Sequence, residues 1–265
     1  MVSTLEIRAV AKYGAFGFLA LLFAADATRA DETIAKLPSL AANTQETSVS
    51  GISSGAYMAG QFQIAHSKTV AGAAIIAGGP YGCAESAFSD MMLGPGAAFL
   101  NLSKAINGCM LNALAIWGIP DVEGLAEKTR KLAEAGRIDP LASLIDDRVY
   151  LFSGSNDRTV VPAIVAAAYE FYKRLGIPES NLTYVSNLPA GHAFVTADQG
   201  LSCESTGNPY VVDCDYDQAG EVLKRIYGNL APRVDAPTGT FLEFDQRPFL
   251  ADKPNHGMEK LGVAY

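Results

Sequence analysis

Between residues 47 and 65 the spacing of apolar positions changes from that of a strand to that of a helix. Thr47, Val49 and Ile52, β-branched and alternating, predict a strand, and Ser54 to Ala65 (SGAYMAGQFQIA) carries apolar residues at helical intervals. The small residues Gly55, Ala56, Ala59 and Gly60 allow such a helix to lie close on a sheet. A second apolar run, Val70 to Ala77, stops at Gly78-Gly79-Pro80 and predicts a buried strand ended by breakers. Arg148 to Ser153 (RVYLFS) and Leu182 to Ser186 (LTYVS) predict two more strands, with a helix from Val160 to Leu175 between them and Pro162 in its first turn, where proline is tolerated. Asp121 to Ala135 predicts an amphipathic helix, acidic at its start and carrying Lys128, Arg130 and Lys131 later, in accord with the helix dipole. Tyr216 to Leu230 predicts a further helix and Gly239 to Phe244 a late strand. This rhythm of strand and helix predicts an α/β fold: a mostly parallel sheet with helices on both faces. Ser89 to Gly118, rich in Met, Leu, Ala and Gly with the sole tryptophan, Trp117, near its end, is expected to cover the sheet or act as a lid.

The amino terminus changes the expected compartment. Arg8 and Lys12 precede an apolar run from Tyr13 to Ala25, followed by small-residue exits at Ala25-Asp26-Ala27 and Thr28-Arg29-Ala30, the layout of a secretory leader over residues 1–30. The run is too short for a comfortable membrane span, so no stable membrane anchor is expected. The remainder, residues 31–265, is long enough for one catalytic-type domain. Four cysteines follow the leader, Cys83, Cys109, Cys203 and Cys214, and an even number in an exported chain favours disulfides. Local pairing, Cys83 with Cys109 and Cys203 with Cys214, closes two loops. A zinc site is the rival reading, but no C-x-x-C occurs and the histidines lie far from these cysteines in sequence. A formal net charge of -8 provides no basic stripe for a nucleic acid.

Gly51-Ile52-Ser53-Ser54-Gly55 falls where the predicted strand gives way to the helix, the context of a nucleophile elbow. Ser53 is the candidate nucleophile, and flanking glycines leave room for backbone that a side chain would obstruct. Ser54 begins the helix, so its backbone N–H is a candidate oxyanion donor. Asp157, in the turn-forming Gly154-Ser155-Asn156-Asp157, and His192, in Pro189-Ala190-Gly191-His192, follow two other strand ends. In open α/β sheets functional groups collect there. A serine hydroxyl needs an imidazole to take its proton, and the imidazole needs a carboxylate to fix its tautomer. Each residue has a plainer alternative: the pentapeptide by chance, Asp157 as a turn or helix cap, His192 as a surface histidine. Their joint occurrence in the order Ser, Asp, His favours the relay, since His66 falls in the helix after the elbow and His256 in a polar tail.

Gly51 to Met58 (GISSGAYM), Ala77 to Cys83 (AGGPYGC), Gly154 to Asp157, Gly191-His192, and Cys203 through Cys214-Asp-Tyr-Asp-Gln-Ala-Gly220 with Ile226-Tyr-Gly228 together resemble secreted single-domain poly(3-hydroxybutyrate) depolymerases, whose α/β-hydrolase fold is circularly permuted. The resemblance implies Ser53 as nucleophile, Asp157 as orienting acid, His192 as base, both local disulfides, a poly- or oligo(3-hydroxybutyrate) substrate, and no metal or organic cofactor. It also implies that strands and a His-Gly loop supplying the second oxyanion donor lie at the carboxyl end. Here the chain stops at Leu261 to Tyr265, and His256-Gly257 follows Pro254-Asn255 rather than an apolar strand, so an incomplete sheet and half an oxyanion hole are expected. Two other functions stay open: an esterase for another short-chain or aromatic ester that uses the same three residues, and a truncated, non-catalytic protein that binds polyester through Ser89 to Trp117.

Overall fold

Each apolar run read as an early strand forms one. In the computed structural model, which describes residues 34–85, 96–111, 120–234, 236–250 and 258–265, β1 (Thr47–Ile52) leads into α1 (Ser54–Ala65) and β2 (Val70–Ile76). After α2 (Ala97–Ile106), a π-helical turn (Asn107–Leu111) and α3 (Val122–Glu134) come β3 (Arg148–Phe152), α4 (Pro162–Arg174) and β4 (Leu182–Val185). The four strands pair in parallel in the order β1-β2-β3-β4. The leader expected at 1–30, Trp117 and His256-Gly257 lie outside the described residues.

Two cores form because successive side chains of a strand point to opposite faces. Ala73 and Ile75 of β2 and Val149 and Leu151 of β3 pack on one face with Ala56, Ala59 and Ile64 of α1, Leu125 and Ala126 of α3, and Ile164, Ala168 and Phe171 of α4. Ala74 and Ile76 with Tyr150 and Phe152 face the other way, onto Val222 and Ile226 of α5 (Gln218–Tyr227). Helices thus cover both faces, as the sequence predicts. Asp121 caps α3 by accepting from Gly124 N at 3.0 Å, and Asp217 caps α5 by accepting from Gly220 N at 3.0 Å. That cap starts α5 two residues after Tyr216, where the apolar spacing predicted its beginning.

Three short strands escape the sequence reading: β5 (Phe194–Thr196), β6 (Leu201–Ser202) and β7 (Val211–Asp213) form a small parallel sheet in the order β5-β7-β6. The disulfide Cys203–Cys214 closes the loop between β6 and β7, and Cys83–Cys109 joins the turn after β2 to the π-helical turn. Both local pairings expected from the sequence are present, as oxidising conditions favour.

The described chain divides into two compact units. Leu40–Pro237 holds all the elements above. The second, Thr238–Tyr265 with the stretch before Leu40, pairs β8 (Leu242–Asp245) antiparallel with β9 (Leu261–Ala264), and Asp245 N donates to Ala35 O at 2.7 Å. The late strand therefore begins three residues beyond Gly239, whose amide instead donates to the Tyr265 hydroxyl at 2.9 Å.

Candidate active site

Backbone hydrogen bonds lace the carboxyl edge of the large sheet into one platform. Ser53 N donates to Ile76 O at 2.9 Å, Ala77 N to Phe152 O at 2.8 Å, and Ser153 N to Val185 O at 3.0 Å. The residues singled out in the sequence leave from this edge: Ser53 directly after β1, Asp157 in the loop after β3, and His192 in the loop after β4.

Ser53 has φ +57° and ψ −121°, a conformation that costs a side-chain-bearing residue about 1–3 kcal/mol. It is held by its own N–H on Ile76 and by Tyr57 N, which donates to Ser53 O at 3.1 Å. A Cβ on Gly51 would lie 2.2 Å from Gly55 C, so the strand can turn into α1 only if position 51 has no side chain. At Gly55 the expectation of steric need fails: a Cβ there meets nothing within 4 Å among the described residues. The Ser53 hydroxyl makes no capping hydrogen bond. Ser54 is the first residue of α1, and its N–H is one of the first-turn amides that helix geometry leaves without an intrahelical acceptor.

The two oxygens of Asp157 have different partners. Oδ1 accepts from Thr159 N at 2.8 Å and Val160 N at 2.9 Å, shaping the turn into α4, while Oδ2 lies 2.8 Å from His192 Nδ1. Both side chains are buried, Asp157 1% and His192 5% exposed, so the pair is a fixed internal contact rather than a surface ion pair. A neutral imidazole that donates its Nδ1 proton to this carboxylate has Nε2 as its acceptor. Ser53 Oγ is not hydrogen-bonded to the imidazole; such bonds are often long in uncomplexed enzymes and tighten around substrate.

The loops bearing the pair press together. A Cβ on Gly154 would lie 2.1 Å from Ala190 O, and one on Gly191 2.3 Å from Ser205 O. Asn156 N donates to Ala190 O at 3.1 Å, and Gly191 N to Cys203 O at 3.0 Å. His192 N donates to Thr206 Oγ1 at 2.8 Å, which ties the His192 backbone to the loop closed by Cys203–Cys214. The ring of Tyr210 stands edge-on to His192 at 6.5 Å. Thr206 and Tyr210 were not foreseen; the only sequence signal for them is their place inside that cysteine loop. Among the described residues no cluster of three His, Cys, Asp or Glu side chains is disposed to hold a metal ion.

No family model matches the chain. It is 39% identical over 232 residues to a poly(3-hydroxybutyrate) depolymerase of Delftia acidovorans, a match covering 86% of this chain and 42% of that protein. It is 31% identical over 236 residues to a polyhydroxybutyrate depolymerase of Talaromyces funiculosus, covering 86% of this chain and 61% of the other. The crystal structure of the PHB depolymerase from Penicillium funiculosum superimposes with a TM-score of 0.70 at 28% identity, over 87% of this chain and 65% of that one. In sequence and in fold, this chain resembles poly(3-hydroxybutyrate) depolymerases. A serine-to-alanine variant of a PHB depolymerase complexed with an R3HB trimer gives the same superposition, with a TM-score of 0.70. The sheet is accordingly of the α/β-hydrolase type. A 232-residue match in a chain of 265 includes the stretch bearing Ser53, Asp157 and His192 wherever it begins. The chain spans between about two fifths and two thirds of the length of these depolymerases.

Proposed function

We propose that this chain is an exported serine esterase that hydrolyses poly- or oligo(3-hydroxybutyrate), with Ser53 as nucleophile, His192 as base and Asp157 as the residue that orients it. The observation carrying the reading is the buried 2.8 Å contact between Asp157 Oδ2 and His192 Nδ1, on the same sheet edge as a serine held in a strained turn. His192 Nε2 takes the Ser53 proton as Oγ attacks the ester carbonyl, and Asp157 stabilises the imidazolium. The oxyanion of the tetrahedral intermediate is met by the Ser54 N–H; one such donor accounts for about 10²–10³ in rate. Collapse expels the alcohol end of the polymer, protonated by His192, and leaves an acyl-enzyme on Ser53. Water, deprotonated by His192, releases the 3-hydroxyacid. No step calls for a metal or organic cofactor.

Substrate class comes from the resemblance to depolymerases together with this geometry. Export is supported by the two disulfides and by the leader pattern of residues 1–30; among the described residues no helix is long and apolar enough to cross a membrane. The test is release of soluble 3-hydroxybutyrate from the polymer by the purified protein and by Ser53→Ala. Loss of release in the variant supports the proposal, and retained release contradicts it. Parallel assays with acetyl and feruloyl esters distinguish a polyester hydrolase from an esterase of other preference.

A further inference from the structure

We infer that Tyr57 is a positioning residue whose phenol ties the helix behind Ser53 to a disulfide-held turn, Asn107–Leu111, that is itself fastened to the Asp157 loop. The inference rests on the serine esterase reading for its catalytic consequence, but the tie itself is a matter of geometry.

Tyr57 lies one helical turn beyond Ser53, and its N–H closes the first hydrogen bond of α1 on Ser53 O at 3.1 Å. Its side chain leaves the helix, and the hydroxyl donates to the carbonyl of Cys109, 52 residues away in sequence. Cys109 is fixed from the other side by its disulfide to Cys83. The next residue, Met110, accepts through its carbonyl from Val161 N at 2.9 Å. Val161 adjoins Val160, whose N–H is one of the two bound by Asp157 Oδ1. A continuous path of short contacts therefore runs from Ser53 through Tyr57, Cys109 and Met110 to the loop that holds Asp157 and, through it, His192.

The slot occupied by the phenol is built for it. A Cβ on Gly79 would stand 2.7 Å from the Tyr57 hydroxyl oxygen and 2.9 Å from Ile164 Cγ2. Burial pushes the phenol above its ordinary pKa, keeping it a neutral donor. Nucleophile and base sit on loops beyond the ends of different strands, and about 1 Å of misplacement between them can cost about 10² in rate. The Tyr57 tie is a second constraint on that separation, outside the sheet.

The experiment compares the full-length protein with Tyr57→Phe, with Cys83→Ser/Cys109→Ser, and with all three substitutions combined. Hydrolysis of p-nitrophenyl butyrate reports kcat and KM, and hydrogen exchange reports the Val161 amide, with the Leu151 amide of β3 as reference. Tyr57→Phe is expected to lower kcat about 10- to 100-fold with KM within about threefold of the unmodified protein. The Val161 amide should exchange about tenfold faster while Leu151 is unchanged, and the triple variant should be no worse than the poorer of the other two, because both cut one path. Unaltered kcat in Tyr57→Phe, or losses that multiply in the triple variant, overturn the inference. Should the unmodified protein show no Ser53-dependent hydrolysis, the esterase reading is what fails; exchange then decides the tie alone, faster Val161 exchange supporting it and unchanged exchange overturning it.

Discussion

Replacing Asp157 by Asn separates two tasks that its carboxylate performs with different oxygens. Oδ1 holds the amides of Thr159 and Val160 at 2.8 and 2.9 Å, and Oδ2 meets His192 Nδ1 at 2.8 Å. An Asn carbonyl in the place of Oδ1 keeps both backbone bonds. Its NH₂ group then faces Nδ1, which must become the acceptor, and the ring proton moves to Nε2, where it prevents His192 from taking the serine proton. The same exchange in serine proteases lowers kcat by about 10⁴, a barrier increase of about 5.5 kcal/mol. Stability should fall by no more than about 1 kcal/mol. Asp157→Ala removes both tasks: kcat falls as far, and two amides, that of Val160 fully buried, lose their side-chain acceptor at a further cost of about 1–3 kcal/mol. Steady-state hydrolysis of p-nitrophenyl butyrate and urea unfolding measure the two effects. An Asp157→Asn protein retaining more than a tenth of its kcat, or one as unstable as Asp157→Ala, refutes the division of labour.

Three other outcomes follow from the structure. Asp147 is buried and hydrogen-bonded by Gln63 Nε2 at 2.9 Å; desolvation, reinforced by the neighbouring Asp146, pushes its carboxyl from 3.8 up to about 6. The folded state then binds more protons than the unfolded one across that interval, so unfolding free energy should fall as pH rises from about 4 to 6 and level off above; Asp147→Asn should flatten this dependence and add about 1–2 kcal/mol at pH 7, measured by urea unfolding. Gly51→Ala sets a Cβ 2.2 Å from Gly55 C and should cost about 1–3 kcal/mol in thermal or urea unfolding while slowing hydrolysis, because the elbow must shift. Cys203→Ser/Cys214→Ser opens a loop of sequence separation 11 and should lower stability by about 3 kcal/mol and reduce kcat, since Thr206 in that loop holds the backbone of His192.

Much of this architecture is written locally in the chain. The period of apolar residues changes at Ser53, and the structure changes from strand to helix there; Val70 to Ile76 is apolar because β2 is covered on both faces. Asp157 is legible as either a turn residue or a catalytic one, and no local pattern encodes that Oδ1 meets the Thr159 and Val160 amides while Oδ2 meets His192. The strands β5, β6 and β7 were not legible, because two or three residues are too few to display alternation, and β5 and β6 each pair with β7, which lies inside the Cys203–Cys214 loop. Tyr57 and Thr206 act across 52 and 14 residues of sequence, at spacings no local pattern encodes. Gly55 is the opposite case, a motif position whose steric need the geometry does not bear out.

The central claim, that Ser53 is a nucleophile activated by His192, is tested most directly by a fluorophosphonate probe followed by peptide mass mapping. Stoichiometric modification of Ser53, lost in Ser53→Ala and slowed at least a hundredfold in His192→Ala, is the predicted result. Modification elsewhere, or a folded protein that binds polyester and is never labelled, contradicts it.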